Sequence, residues 1–169
     1  MGPEARPARP LYTPAERHRR DASPWTLVQG VLAPLQFVIF LASLVLVLRA
    51  LATGETIAAA EISVVVKTLA LYAIMITGSI WEKAVFGRFL FAPAFFWEDV
   101  VSMLVLALHT AYLAALATGA LGGQALLILA LAAYATYVIN AGQFVLKLRA
   151  ARLQGNPGRQ PKHLAEALS

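Results

Sequence analysis

Two short motifs, Trp81-Glu82-Lys83 and Trp97-Glu98-Asp99, bring three carboxyl groups and two indoles to either side of one segment. That segment, 84–96, carries Phe86, Phe89, Phe91, Phe95 and Phe96 around Pro93. Crowded, partly buried carboxyl groups can hold a proton that isolated ones would lose, which suits general acid and base work. His109 follows Glu98 by eleven residues. On a helix this returns to the same face about 16 Å further along the axis. Ser102, Val105 and Tyr112 fall on that stripe. A neutral imidazole there can take a proton or ligate a metal. Tyr137, Asn140 and Gln143 form a second polar stripe, able to orient water or a carbonyl group. Each feature has a plainer account as well. Tryptophans anchor helices at membrane interfaces, acidic residues favour a helix N-terminus, and a deep histidine can bond a neighbouring helix.

Several chemistries are excluded by what the chain lacks. It has no cysteine, hence no disulfide, thiolate metal site or cysteine nucleophile. No phosphate loop, dinucleotide glycine motif or zinc-protease signature occurs. Only His109 accompanies the carboxylates within the apolar part, so no dedicated metal cage is expected. A small transporter would be expected to show a broken-helix repeat. The two Trp-Glu pairs are too short to make one.

The elements that must position these groups are apolar. Of 169 residues, 59% are hydrophobic and 14% charged, and mean hydropathy is +0.68. Crossing a bilayer takes about 20 predominantly apolar residues. Four runs qualify, at about 27–48, 62–85, 96–118 and 124–148. The polar face that a soluble helix repeats is missing over most of each run. The fold class expected is therefore all-α, a polytopic bundle of four transmembrane helices. Pro34 is tolerable near the start of a membrane helix, and Gly119, Gly122 and Gly123 mark a tight last turn. Ala107, Ala111 and Ala115, with Ala133 and Ala141, are expected helix-contact faces. Lys67, inside the second run, is expected to snorkel outward or to pair with Glu61, without catalytic work.

Domain organisation follows from the tails: a flexible basic arm at 1–24, a membrane domain at 25–150, and a tail at 151–169. The arm's prolines and charges make the first apolar run start late. That run is too long for a signal peptide and is expected to stay as an anchor. The net charge of +5 reflects topology more than nucleic-acid binding, because no basic stripe is interleaved with aromatics. Arg6, Arg9, Arg17, Arg19 and Arg20, then Lys83 and Arg88, then Lys147, Arg149, Arg152, Arg159 and Lys162 fall on one side. Arg49 falls on the other. The positive-inside rule then places both termini and the 84–96 segment in the cytoplasm.

Several of these motifs, in order, are familiar. The chain resembles the 3-vinyl bacteriochlorophyllide hydratase family in Asp21-Ala22-Ser23-Pro24-Trp25-Thr26-Leu27-Val28-Gln29-Gly30 and its continuation to Phe37. It does so again in Gly78-Ser79-Ile80-Trp81-Glu82-Lys83 and Phe91-Ala92-Pro93-Ala94-Phe95-Phe96-Trp97-Glu98-Asp99. His109-Thr110-Ala111-Tyr112 and the run 134–144 complete the likeness, which covers roughly residues 11 to 154. The resemblance implies a bacterial inner or photosynthetic membrane enzyme, a carbon–oxygen hydro-lyase of bacteriochlorophyll synthesis. Its substrate would be chlorophyllide a, whose C3 vinyl group gains water to give the 3-(1-hydroxyethyl) product. No cofactor is implied, since the magnesium belongs to the substrate. Other enzymes of the pathway are conceivable partners; nucleic acid is not. Under that reading Glu82 and Glu98 are the acid and base, with Asp99 supporting one of them. Trp81, Phe86, Phe95, Phe96 and Trp97 would wall a slot for the ring. Ser102, Tyr112, Tyr137, Asn140 and Gln143 would line it, and His109 would be an axial magnesium ligand or the water-side base. The rival reading is a non-enzymatic pigment carrier or assembly protein.

Overall fold

The computed structural model describes residues 11–154. Arg6, Arg9, Arg159, Lys162 and most of the 151–169 tail lie outside them. Five helices follow in order: α1 (Pro14–Ala22), α2 (Pro24–Thr53), α3 (Ile57–Phe86), α4 (Phe96–Thr118) and α5 (Gly123–Gln154). The fold is all-α, and the last four helices are long and apolar enough to cross a membrane. Their outer faces are apolar and open: Leu27, Val31 and Val45 on α2, Ile62 and Leu69 on α3, Leu104 on α4, Val138 and Val145 on α5. A water-soluble monomer does not expose apolar surface on that scale.

The helices outrun the spans read from hydropathy. α2 extends to Thr53 rather than about 48, and α3 begins at Ile57 rather than about 62. Hydropathy falls at Arg49 and Glu55, but a helix stops where its backbone must turn. Here that happens at Gly54 (φ +72°) and Thr56 (φ +59°), both left-handed. Glu61 thus belongs to α3, not to a loop.

The arm before residue 24 also carries structure. Thr13 and Glu16 form a reciprocal capping box, and Pro14 supplies a preset φ at the first turn of α1. Leu11 and Tyr12, just ahead of it, pack on the bundle, with Tyr12 stacked on Phe86. Burial pushes the Tyr12 hydroxyl above its ordinary pKa, although the Arg20 guanidinium beside it opposes this. Arg19 Nε donates to the Val85 carbonyl at 2.7 Å, satisfying the C-terminal end of α3.

Packing is uneven. α2 with α3, and α4 with α5, form two close antiparallel hairpins that touch each other more sparsely. The contact faces are not the alanine rows expected from small-residue packing. Ala107 and Ala111 are exposed, and only Ala133 is buried, with Ala115 and Ala141 half-buried. The buried face of α4 is instead Glu98, Asp99, Ser102, Val105, His109 and Tyr112. This is the polar stripe that eleven-residue spacing predicts, turned into the bundle. In lipid a polar side chain loses more by facing outward than an alanine does, so the polar stripe decides the rotation of the helix.

Candidate functional site

At one end of the bundle the loop 87–95 between α3 and α4 is tied down by two carboxyl groups. Asp99, in the first turn of α4, accepts the Phe91 N–H at 2.7 Å through Oδ2. Glu82, near the end of α3, accepts the Ala92 N–H at 3.2 Å through Oε2. Phe91 has φ +57°, a conformation costing a non-glycine residue about 1–3 kcal/mol. A hydrogen bond to a carboxylate contributes about 1.5–3 kcal/mol, so the bond from Asp99 is sufficient to hold it. The Glu82 and Asp99 carboxyl groups also lie within hydrogen-bonding reach of each other. Both are buried. Two carboxyl groups in contact cannot both be ionised cheaply, which makes the pair a place to keep a proton.

Glu98, the next residue on α4, turns the other way. Its Oε2 meets Lys147 Nζ of α5 at 2.5 Å, in a pair of which Lys147 remains one-quarter exposed. The three expected carboxyl groups therefore sit at one level but in two environments. One is a self-paired couple holding the loop, and the other is a carboxylate matched to an ammonium. Contrasting environments of this kind separate an acid from a base.

The aromatic wall divides. Trp81, Phe86 and Phe95 pack with Tyr12 and Phe144 into a closed cluster over the carboxyl groups. Trp81 Nε1 donates to Thr26 Oγ1 at 2.9 Å, fixing its ring. Phe96 and Trp97 face outward instead, Trp97 being 69% exposed. They stand on the lipid side of the site, not inside it with the other three.

Above this level the seam between the hairpins carries polar groups from all four long helices. Asn140 Nδ2 donates to Ser102 Oγ at 2.8 Å, which sets α5 against α4. Asn140 Oδ1 and Gln143 Oε1 are left without partners, as are Gln36 Oε1 and the Tyr112 hydroxyl. Tyr137 is buried against Phe40. His109 is fully buried, with Nδ1 2.8 Å from the Val105 carbonyl. A carbonyl can only accept, so Nδ1 carries the hydrogen and Nε2 presents its lone pair to the seam. Nε2 has no hydrogen-bond partner in the described structure. A backbone carbonyl on one nitrogen and a free lone pair on the other is the arrangement that fixes a histidine for a metal.

Two residues given no chemical part by the sequence belong here. Lys147, read only as a topology charge, lies seven residues after Asn140 and so on its face; that spacing was a usable signal. Lys67 neither snorkels nor pairs with Glu61. It is fully buried, with Nζ 3.9 Å from the Tyr137 ring centroid. Tyr137 and the crowded seam reach it before the outer interface does.

Fold and site together define a four-span membrane protein with a buried carboxyl cluster beneath an aromatic cover and a polar seam between its two hairpins. Comparison with known sequences gives that class a family. Residues 12–150 match the model of the 2-vinyl bacteriochlorophyllide hydratase family, and the chain belongs to that family. It is 69% identical over 144 residues to the 2-vinyl bacteriochlorophyllide hydratase of Rhodobacter capsulatus, covering 85% of this chain and 84% of that one. With the protein of the same name from Cereibacter sphaeroides it shares 67% identity over 149 residues, or 88% and 92% of the two chains. No solved structure matches.

Proposed function

We propose that this protein adds water across the vinyl group of a chlorophyllide, the group numbered 2 in its relatives' names and C3 around the whole macrocycle. The carrying observation is the Glu82–Asp99 couple set beside the Glu98–Lys147 pair. Glu82, the more loosely tied member of the couple, passes its proton to the terminal vinyl carbon. The π electrons form the new C–H bond, leaving positive charge on the carbon joined to the macrocycle, where conjugation spreads it. A water oxygen attacks that carbon, and its surplus proton goes to Glu98, whose carboxylate Lys147 holds in place. Asp99 positions Glu82 and the loop. The chlorin lies in the seam between the hairpins, with Ser102, Tyr112, Tyr137, Asn140 and Gln143 along it. Trp81, Phe86 and Phe95 cover the vinyl edge, and Phe96 and Trp97 flank the entrance from the lipid. The reaction requires no cofactor, because the only metal involved is the substrate's magnesium.

Detergent-solubilised protein incubated with chlorophyllide a alone tests this. A mass gain of one water and a blue shift, from lost vinyl conjugation, are the expected result. Pigment that is bound but unchanged would replace the hydratase with a carrier.

His109 Nε2 is the axial ligand we assign to the substrate magnesium. His109→Ala is then expected to weaken binding of magnesium chlorophyllide by at least about tenfold while changing that of the metal-free pigment little. Equal losses in a fluorescence titration would return His109 to packing.

The catalytic end faces the cytoplasm in this reading. The described ends and the loop 87–95 meet at that end, through the contacts of Tyr12 and Phe144 with Phe95. Lys83 and Arg88 lie there, whereas the turn 119–122 has no basic residue. In this cysteine-free chain, Ala120→Cys should react with an impermeant thiol reagent from the periplasm and Arg88→Cys only after the membrane is opened. The reverse pattern would invert the topology.

A further inference from the structure

The proton chemistry leaves one buried charge unused. Lys67 is fully buried in α3, and Nζ has no hydrogen-bond partner in the described structure. Its stacking on Tyr137 meets the charge in part but leaves the ammonium hydrogens without acceptors. The buried carboxyl groups are answered: Glu98 by Lys147, Glu82 and Asp99 by each other and by backbone N–H groups. An unanswered ammonium within a membrane span marks a ligand site. The described residues supply no anion at this depth. α2 and α5 contain no Asp or Glu, those of α4 stand in its first turn, and Glu61 lies six residues away on α3, about 9 Å along the axis. His109, close enough to Lys67 to feel its charge, likewise has an Nε2 without a hydrogen-bond partner in the described structure.

We propose that Lys67 binds the free carboxylate of the substrate's propionate arm, making it the residue that selects the acid pigment over its esters. This rests on the hydratase reading above, in which the vinyl edge sits at the Glu82–Asp99 level. From Glu82 to Lys67 is fifteen residues of α3, about 22 Å between backbone positions, less what the two side chains reach toward each other. A chlorin with its propionate extended away from the vinyl edge bridges such a gap. The pigment thus lies lengthwise in the seam, its ring between the hairpins and its carboxylate at Lys67. An esterified pigment would bury the same ammonium against a neutral oxygen.

Wild type and Lys67→Met, in detergent, are titrated with magnesium chlorophyllide a and with its methyl ester, and hydration is scored in the same samples. Wild type is expected to bind the acid at least about tenfold more tightly than the ester. Lys67→Met should bind both alike, with the affinity wild type shows for the ester. Equal wild-type affinities would overturn the assignment, as would a preference that survives in Lys67→Met. Should the methionine variant fail to accumulate in the membrane, Lys67→Gln is read by the same criterion. Hydration of both pigments without preference removes this inference alone. Absence of hydration by wild type, with the acid preference intact, removes the hydratase reading and leaves the carboxylate site.

Discussion

Glu82→Gln is expected to lower turnover of the vinyl chlorophyllide by about 10² to 10⁴-fold, the range that a positioned acid contributes. Glutamine keeps the side-chain length, and its carbonyl oxygen can still accept the Ala92 N–H that Glu82 now accepts. The loop 87–95 retains its Asp99 tie to Phe91, and Phe95 retains its stacking on Phe144. Fold and pigment affinity should therefore persist, and the loss should appear in kcat with little change in pigment binding. The measurement is single-turnover hydration, followed by absorption, beside an equilibrium titration of the same preparation. Asp99→Asn offers the contrast. It removes the neighbouring carboxyl and loosens the strained Phe91, so both binding and rate should suffer. Near-wild-type turnover in Glu82→Gln would take the acid role away from α3.

The sequence carried the architecture because lipid imposes a coarse code: long apolar runs, glycines at turns and bases on one side. It also carried the inward face of α4, since Glu98, Ser102, Val105, His109 and Tyr112 repeat at helical spacing and all point inward. Partner choice was less legible. Nothing in Glu98-Asp99 tells which carboxyl turns to α5 and which to α3, because adjacent residues differ by about 100° around a helix and the neighbour each meets depends on bundle rotation. Lys67 was misread for a related reason. A long side chain can snorkel or turn inward at the same residue, and Tyr137 lies seventy residues further along the chain. The capping box at Thr13 and Glu16 was readable, but it was hidden in a stretch whose prolines suggested an unstructured arm. Where the resemblance placed Phe96 and Trp97 in one wall with the other aromatics, helical phase separates them, leaving Trp97 toward lipid and Glu98 inside.

Glu98→Gln should also cost roughly two orders of magnitude in turnover or more, and its companion variant separates chemistry from scaffolding. Glu98 has a structural use independent of any reaction, for its ion pair with Lys147 joins α4 to α5. Removing one member of a deeply buried pair costs about 3–5 kcal/mol. Here the cost should be smaller, because Lys147 is 25% exposed and can recover water. Lys147→Met breaks the same link while leaving the carboxylate. If Glu98 only braces the helices, both variants lose thermal stability alike and neither loses much turnover once folded. If Glu98 receives the proton of the attacking water, the two diverge. Glu98→Gln abolishes that acceptor. Lys147→Met keeps the carboxylate and loses only its tie to α5, so its turnover, once folded, should stay well above that of Glu98→Gln. Turnover and thermal stability of the two variants, measured side by side, read this directly. High turnover in Lys147→Met against low turnover in Glu98→Gln, at a similar loss of stability, is the result that assigns the base. Equally low turnover in both, or full activity in Glu98→Gln, would leave the ion pair as a brace and move water activation to the His109 imidazole.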